Sequence, residues 1–326
     1  MTTAIAKITE QNPANVSGVF SDNLLERFAK FAGVSENSKR TYIKCLRQMF
    51  RHFQANAITM PTRENLVDWI AEMKNAGRAA STITLYTTAA KIFFRWLAQE
   101  NIYPNVADNL KTGVKPSRGH KKDALTVEQC ADLVKGVKTC KVVKGVEVDD
   151  VKGLRDKAIL SLMTTAGLRC VEVVRANIAD VRFDRGKTFL YVTGKGHSEA
   201  DERVLLSRQT YKAIQVYLKA RGKAAATEPL FTSTSRRNNG ERLQTQTISR
   251  LVKKNLRAMD LDSPRLTAHS LRHSTATNLV FAGVDLPKIQ MTLRHKNLAT
   301  TMIYLNAYER FHNDAEQILA DQIFKE

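Results

Sequence analysis

The chain has 326 residues, 43% of them hydrophobic, enough to bury a core in each of two domains. It holds no apolar run of about 18 residues, and its opening stretch "MTTAIAKITEQNPANVSG" lacks the apolar centre of a secretory leader, so no membrane association is expected and the cytoplasm is the default location. Fifty-one Lys and Arg against 32 Asp and Glu give a net charge of +19. Up to Asp123 there are 18 basic and 10 acidic residues, and beyond it 33 and 22, so the excess is not the work of one tail. A chain basic in both halves is suited to a polyanion, because Lys and Arg neutralise phosphate and release its counterions.

Residues 1–17 are polar and unpatterned, which predicts a flexible N-terminus. Four helical patterns follow, over Ser21–Ala32, Ser38–Phe53, Thr62–Asn75 and Ser81–Gln99, each with apolar side chains at helical spacing and a Ser or Thr at its start. They predict an all-helical domain over 18–110. Its polar faces carry Lys39, Arg40, Lys44, Arg47, Arg51, Arg78, Lys91 and Arg95, concentrated on the second and fourth helices and the turn before the fourth. Such faces are usually only solvated, but this concentration also suits a DNA-binding surface. The stretch 111–123 contains "KTGVKPSRGHKK", with Gly, Pro and five basic residues including Lys121 and Lys122, and predicts a basic linker able to cross a nucleic-acid backbone.

A second domain, over 124–326, opens with a helix behind Thr126. Residues 138–152 read as a solvent-facing insertion, and "GLRDKAILSLMTTAGLR" as another helix. "VRFDRGKTFLYVTGKGHSEADERVLLS" alternates in short runs with turns at Arg185-Gly186 and Gly194–Gly196, which predicts a small three-stranded antiparallel sheet. Helices fill the remainder, so the fold class is mainly α: an all-helical domain followed by a mixed α+β domain. The last segment, "NAYERFHNDAEQILADQIFKE", predicts a short amphipathic helix with Ala315, Ile318, Leu319 and Ile323 on one side. Cys45, Cys130, Cys140 and Cys170 show no metal-ligand spacing and are expected to be reduced structural residues.

The segment "LTAHSLRHSTATNLVFAGV" (266–284) places two histidines and an arginine in an otherwise ordinary buried helix. His269 and Arg272, three apart, can point at one spot. Taken alone, a capping histidine and a solvated arginine would serve as well. Five segments in order, "LTVEQ", "TTAGLRCVEV", "VTGKGHSEADERVLL", "AHSLRHSTATNLVFAGVDLPKIQ" and "LRHKNLATTMIYLN", resemble the tyrosine recombinase (phage integrase) family, and the four-helix domain resembles that family's core-binding domain.

The chemistry stands beside the resemblance. Phosphodiester transfer needs a nucleophile, charge on the non-bridging oxygens and a proton for the leaving oxygen. Arg169 and Arg272 offer two planar forks that grip phosphate with a directionality that lysine lacks. Lys195 lies between two glycines in a turn, where it is either solvated or able to approach DNA closely. Glu172 either orients Arg169 or is a helix-surface charge. The resemblance implies that Lys195 protonates the leaving 5′ oxygen, that His269 assists proton transfer at the tyrosine hydroxyl, that His295 donates to the phosphate, and that Tyr304 forms a 3′-phosphotyrosyl bond. His273 is not carried over from the family and is assigned to packing or a local hydrogen bond. Tyr308 is the rival phenol but falls outside the family's register. Arg294 stands where the family commonly has glycine in "LGHK". The expected function is site-specific DNA recombination through a Holliday junction, without metal or other cofactor, by a homotetramer on two paired sites, with accessory directionality factors compatible with that scheme and the nucleoid as its place of action. The alternatives are a type IB topoisomerase-like relaxation and a DNA-binding architectural protein that has lost catalysis.

Overall fold

The structure of the chain is a computed structural model that describes residues 20–31, 33–114, 123–193 and 200–324. The chain divides into two compact units, Met1–Arg118 and Gly119–Glu326. The fold is mainly α, as expected, with small antiparallel sheets in the second unit. No helix among the described residues is long and apolar enough to cross a membrane. The segments expected to be a flexible N-terminus (1–17) and most of the basic linker (115–122) lie outside the described residues.

The first unit contains α1 (Asp22–Phe31), α2 (Glu36–Ala55), α3 (Arg63–Asn75) and α4 (Ala80–Gln99). The periodic apolar residues turn inward: Phe28, Leu46, Met49, Leu66, Trp69 and Phe93 are all fully buried. Phe28 and Phe93 meet edge to face at 5.4 Å, the arrangement that the ring quadrupoles favour. Two expected starts are corrected. The cap of α2 is Ser35, whose Oγ accepts from the Ser38 N–H at 3.3 Å, and α4 starts behind Ala79 with no side-chain cap. A cap must sit on extended backbone just before the first turn, and Ser38 and Ser81 are already inside it. Thr62 does cap α3, exchanging bonds with Asn65.

The second unit begins with α5 (Val127–Lys135), held at its start by a reciprocal Thr126–Gln129 pair. The expected insertion is a β-hairpin, β1 (Cys140–Val143) with β2 (Val146–Asp149), turning at Lys144 and Gly145, both with positive φ, and exposed along both strands. Then come α6 (Val151–Thr165) and α7 (Cys170–Arg175), followed by β3 (Val181–Asp184), β4 (Lys187–Val192) and β5 (Glu202–Leu205) in an antiparallel sheet of that order. Arg185 and Gly186 make the first turn with φ of +46° and +79°. The second expected turn, 194–196, lies outside the described residues.

The unit continues with α8 (Arg208–Arg221), α9 (Thr245–Arg257), α10 (Ala268–Phe281), α11 (Leu286–Leu293), α12 (Ala299–Phe311) and α13 (Ala315–Ile323). The core gathers on α6, whose Ile159, Leu160, Leu162 and Met163 are fully buried against residues such as Ile214, Ile248 and Leu271. A smaller cluster of Ala276, Val280, Ile289, Leu293 and Tyr304 joins α10, α11 and α12. By contrast, α13 buries none of its residues, and Ile318, Leu319 and Ile323 all face outward.

Candidate active site

Helix α10 is buried along most of its length, and several of its polar side chains tie it to its neighbours. Ser274 Oγ accepts from the Leu125 N–H at 2.7 Å, and Thr275 Oγ1 donates to the Thr164 carbonyl at 3.0 Å, pinning α10 to its neighbours. In the same helix Arg272 is 3% exposed, which rules out a solvated surface arginine. Its Nη1 donates to the Gly167 carbonyl at 2.7 Å and its Nη2 to the Leu293 carbonyl. Both carbonyls are helix-end features. Gly167 follows the end of α6 with φ +58°, a left-handed conformation that glycine adopts at no steric cost, and Leu293 closes α11.

The Gly167 turn delivers Arg169 directly to the start of α7. Glu172, one turn on, accepts from the Arg169 N–H at 2.8 Å and from Arg169 Nη1, so the two residues are paired rather than separately solvated. Glu172 is 2% exposed, whereas about a third of the Arg169 side chain reaches solvent. Burial alone would raise the Glu172 carboxyl, but the nearby charge of Arg294 and the hydrogen bonds and charge of Arg169 outweigh it and hold the group below the usual carboxylate range.

His295 follows the end of α11. Its Nδ1 lies 2.9 Å from Thr301 Oγ1, a fully buried hydroxyl on α12, and its carbonyl accepts from Gln290 Nε2 at 2.9 Å. Asn297 Oδ1 accepts from the Ala299 N–H at 2.9 Å in the turn ahead of α12, whose N-cap position is Leu298, so "HKN" turns the chain from one helix into the next. Burial, then the positive charges of Arg272, Arg169, Arg294 and His269, push His295 down to about 4. The imidazole is therefore neutral at physiological pH. Arg272 is lowered to about 9 by burial and by repulsion from Arg169 and Arg294, and stays a cation. His269 sits exposed in the first turn of α10, near enough to weigh on His295.

Tyr304 is on α12, 8% exposed, with its ring stacked on His295 at 6.5 Å and tilted against His273 at 5.1 Å. Burial raises its phenol, opposed by the charge of Arg272. Tyr308, one turn further along α12, packs instead with Phe281 at 5.0 Å and His312 at 4.1 Å. Arg169, Glu172, His269, Arg272, His295 and Tyr304 are thus brought together from three helices, α7, α10 and α12, and from the turns that lead into α7 and α12. Lys195 lies outside the described residues.

In the first unit, Arg40, Lys44, Arg47 and Arg51 fall on one exposed face of α2 at i, i+4, i+7 and i+11. Arg47 pairs with Asp22 at 3.0 Å and Lys39 with Glu36 at 2.8 Å, exposed contacts of little energetic weight. Arg78 precedes α4, and Lys91 and Arg95 share one of its faces, the former half-buried and the latter exposed. Lys121 and Lys122 lie outside the described residues. Sequence reasoning missed a second basic stripe, Arg250, Lys254 and Arg257 on α9, although its i, i+4, i+7 spacing was readable. It also missed the two backbone carbonyls that hold Arg272 and the Thr301 hydroxyl at His295, for which no sequence signal exists.

The family described as "Phage integrase family" matches residues 123–310, and that described as "Phage integrase, N-terminal SAM-like domain" matches 22–101. The chain is 32% identical over 289 residues to the tyrosine recombinase XerA of Pyrococcus horikoshii, covering 88% of this chain and 90% of that one. It is 26% identical over 315 residues to the tyrosine recombinase XerD of Halalkalibacterium halodurans, covering 89% and 98%. Its fold is similar to that of the XerH site-specific recombinase solved bound to a palindromic difH substrate, with a TM-score of 0.70 at 20% identity over 94% of this chain and 85% of that one. The chain belongs to the phage integrase family and is a site-specific recombinase of the tyrosine type.

Proposed function

We propose that this recombinase breaks and rejoins double-stranded DNA through a transient bond between Tyr304 and a 3′ phosphate. The phenolic oxygen attacks phosphorus and loses its proton as the P–O5′ bond breaks. The leaving 5′ oxygen takes a proton from Lys195, and His269 assists at the phenol. Arg169, Arg272 and the neutral His295 supply donors to the non-bridging oxygens, where charge grows in the transition state. The phosphodiester energy is kept in the phosphotyrosyl bond, so the reaction draws on no external energy source. Lys195 takes its role from the resemblance alone. The observation that carries the reading is the meeting of the Tyr304 ring with His295 beside the buried Arg272 fork, while Tyr308 packs into an aromatic cluster of its own.

The basic faces of α2, α4 and α9 and the residues Lys121 and Lys122 are assigned to the DNA backbone, and the domain division to 18–110, a linker at 111–123 and 124–326. A homotetramer on two paired sites, exchanging strands through a Holliday junction, completes the reading. The test uses a nicked duplex that traps the cleaved state. Tyr304→Phe is expected to bind DNA nearly normally and form no covalent adduct, while Tyr308→Phe retains adduct formation. An adduct from the Tyr304→Phe variant would refute the assignment.

A further inference from the structure

Arg294 occupies a costly position for an arginine. It ends α11 in the left-handed region, with φ 54° and ψ 49°, where glycine would fit without strain. Its side chain is nonetheless turned inward and only 5% exposed. Nη2 donates to Glu172 Oε2 at 2.7 Å, and Nη1 donates to the Thr292 carbonyl at 2.6 Å. Nε stands 3.8 Å from Glu202 Oε2 on β5, beyond hydrogen-bond range but well within electrostatic reach. One side chain therefore joins the end of α11, the buried carboxylate at the start of α7 and the edge of the sheet.

The charges show what this joint does. Glu172 carries one negative charge out of water and holds Arg169 through two hydrogen bonds. If Arg169 were its only cation, the arginine's charge would be divided between Glu172 and the DNA phosphate. A second guanidinium on Glu172 satisfies the carboxylate from behind and leaves the charge of Arg169 for the phosphate. We propose, resting on the cleavage reading above, that Arg294 is a positioning residue for strand cleavage, neutralising Glu172 so that the partly exposed Arg169 fork is fixed in place with its charge available to the scissile phosphate.

The test measures single-turnover adduct formation on a nicked duplex built around the position that the wild-type chain marks covalently in sheared DNA of its host. Arg294→Gly, which relieves the backbone, is expected to bind DNA within about twofold of wild type but to cleave about 100-fold more slowly, the size of effect seen when one transition-state donor is impaired. Arg294→Lys keeps the charge and recovers most of the rate. The decisive variant is Arg294→Gly with Glu172→Gln. Removing the carboxylate's charge frees Arg169 again, so the double variant cleaves faster than Arg294→Gly alone, a reversal that a merely structural role does not produce. Arg294→Asn, which also tolerates left-handed backbone, carries the same comparison if the glycine variant does not fold. Wild-type cleavage by Arg294→Gly, or a double variant no faster than the single, overturns the proposal. Wild type and Tyr304→Phe run on the same duplex, and an adduct independent of Tyr304 would instead overturn the cleavage reading.

Discussion

Gly167→Ala tests whether the main-chain hold on Arg272 matters as the structure implies. At φ +58° an alanine costs about 1–2 kcal/mol in backbone strain, offset by up to about 1 kcal/mol from a less flexible unfolded chain. The new Cβ would stand 2.8 Å from Leu293 Cδ2, and Leu293 is fully buried, so the overpacking adds roughly 1–3 kcal/mol. The net loss is about 1–5 kcal/mol. For a catalytic unit of roughly 200 residues that is a fall in Tm of roughly 2–20 °C. Because the two residues pushed apart supply both carbonyl acceptors of Arg272, the fork moves with them. A shift approaching 1 Å costs about 100-fold in rate with little change in DNA affinity. Calorimetric melting and single-turnover cleavage read the two effects. Adding Leu293→Val should recover part of the clash and none of the backbone strain. A Gly167→Ala protein that melts within about 1 °C of wild type and cleaves normally would refute the reasoning.

Other outcomes follow from the same geometry. Lys195→Ala should slow cleavage of ordinary DNA, and a 5′-thio leaving group, which needs little protonation, should restore the rate; an equal defect on both substrates removes Lys195 from the acid role. His295 is held near 4 in the folded protein against 6.5 for the free imidazole, so the unfolded chain takes up a proton first, and the stability His295 confers is complete above about pH 6.5 and lost as pH falls toward 4. His295→Asn should accordingly flatten the melting temperature against pH in that window, and an unchanged slope would count against the burial of the ring among cations. Deleting 314–326 should leave single-site DNA binding intact but abolish paired-site assembly, because α13 buries nothing on its own unit; synaptic tetramers of the truncated protein in native gels would show that the tail is not an assembly element.

The helices of the first unit were readable because each has one wet and one dry face, and the dry residues recur at 3.6-residue spacing. Strands β3–β5 were readable from their alternation and the Arg185-Gly186 turn. The β1–β2 hairpin escaped because its strands are four residues long and exposed on both faces, although Lys144-Gly145 between runs of valine carried a turn signal. Helix α10 was legible as a helix, and its two histidines and arginine stood out before the resemblance gave them roles, but with no wet face over most of its length its pattern did not say what it packs against. The candidate site itself is assembled across the chain: Arg272 bonds to a carbonyl 105 residues away, and Arg294 to a carboxylate 122 residues away. Residue types could be nominated from the sequence, but no local spacing encodes such contacts. The inward turn of Arg294 in particular depends on Glu172 waiting in the core, where the sequence showed only an arginine in place of glycine.

The two forks are tethered by different means. Arg169 hangs from a carboxylate, which can be mutated, protonated in strong acid or shared with another cation. Arg272 hangs from two main-chain carbonyls, which no side-chain substitution deletes and no accessible pH titrates. The site therefore has one jaw held by the backbone and one held by a balance of side-chain charge. Sequence drift around Arg272 is tolerated as long as the turn at Gly167 and the end of α11 keep their backbone course, whereas drift around Arg169 must preserve a balance of charge. On the proposed reading of the site, engineering of this recombinase would retune cleavage through Glu172 and its neighbours while leaving the Arg272 cradle untouched.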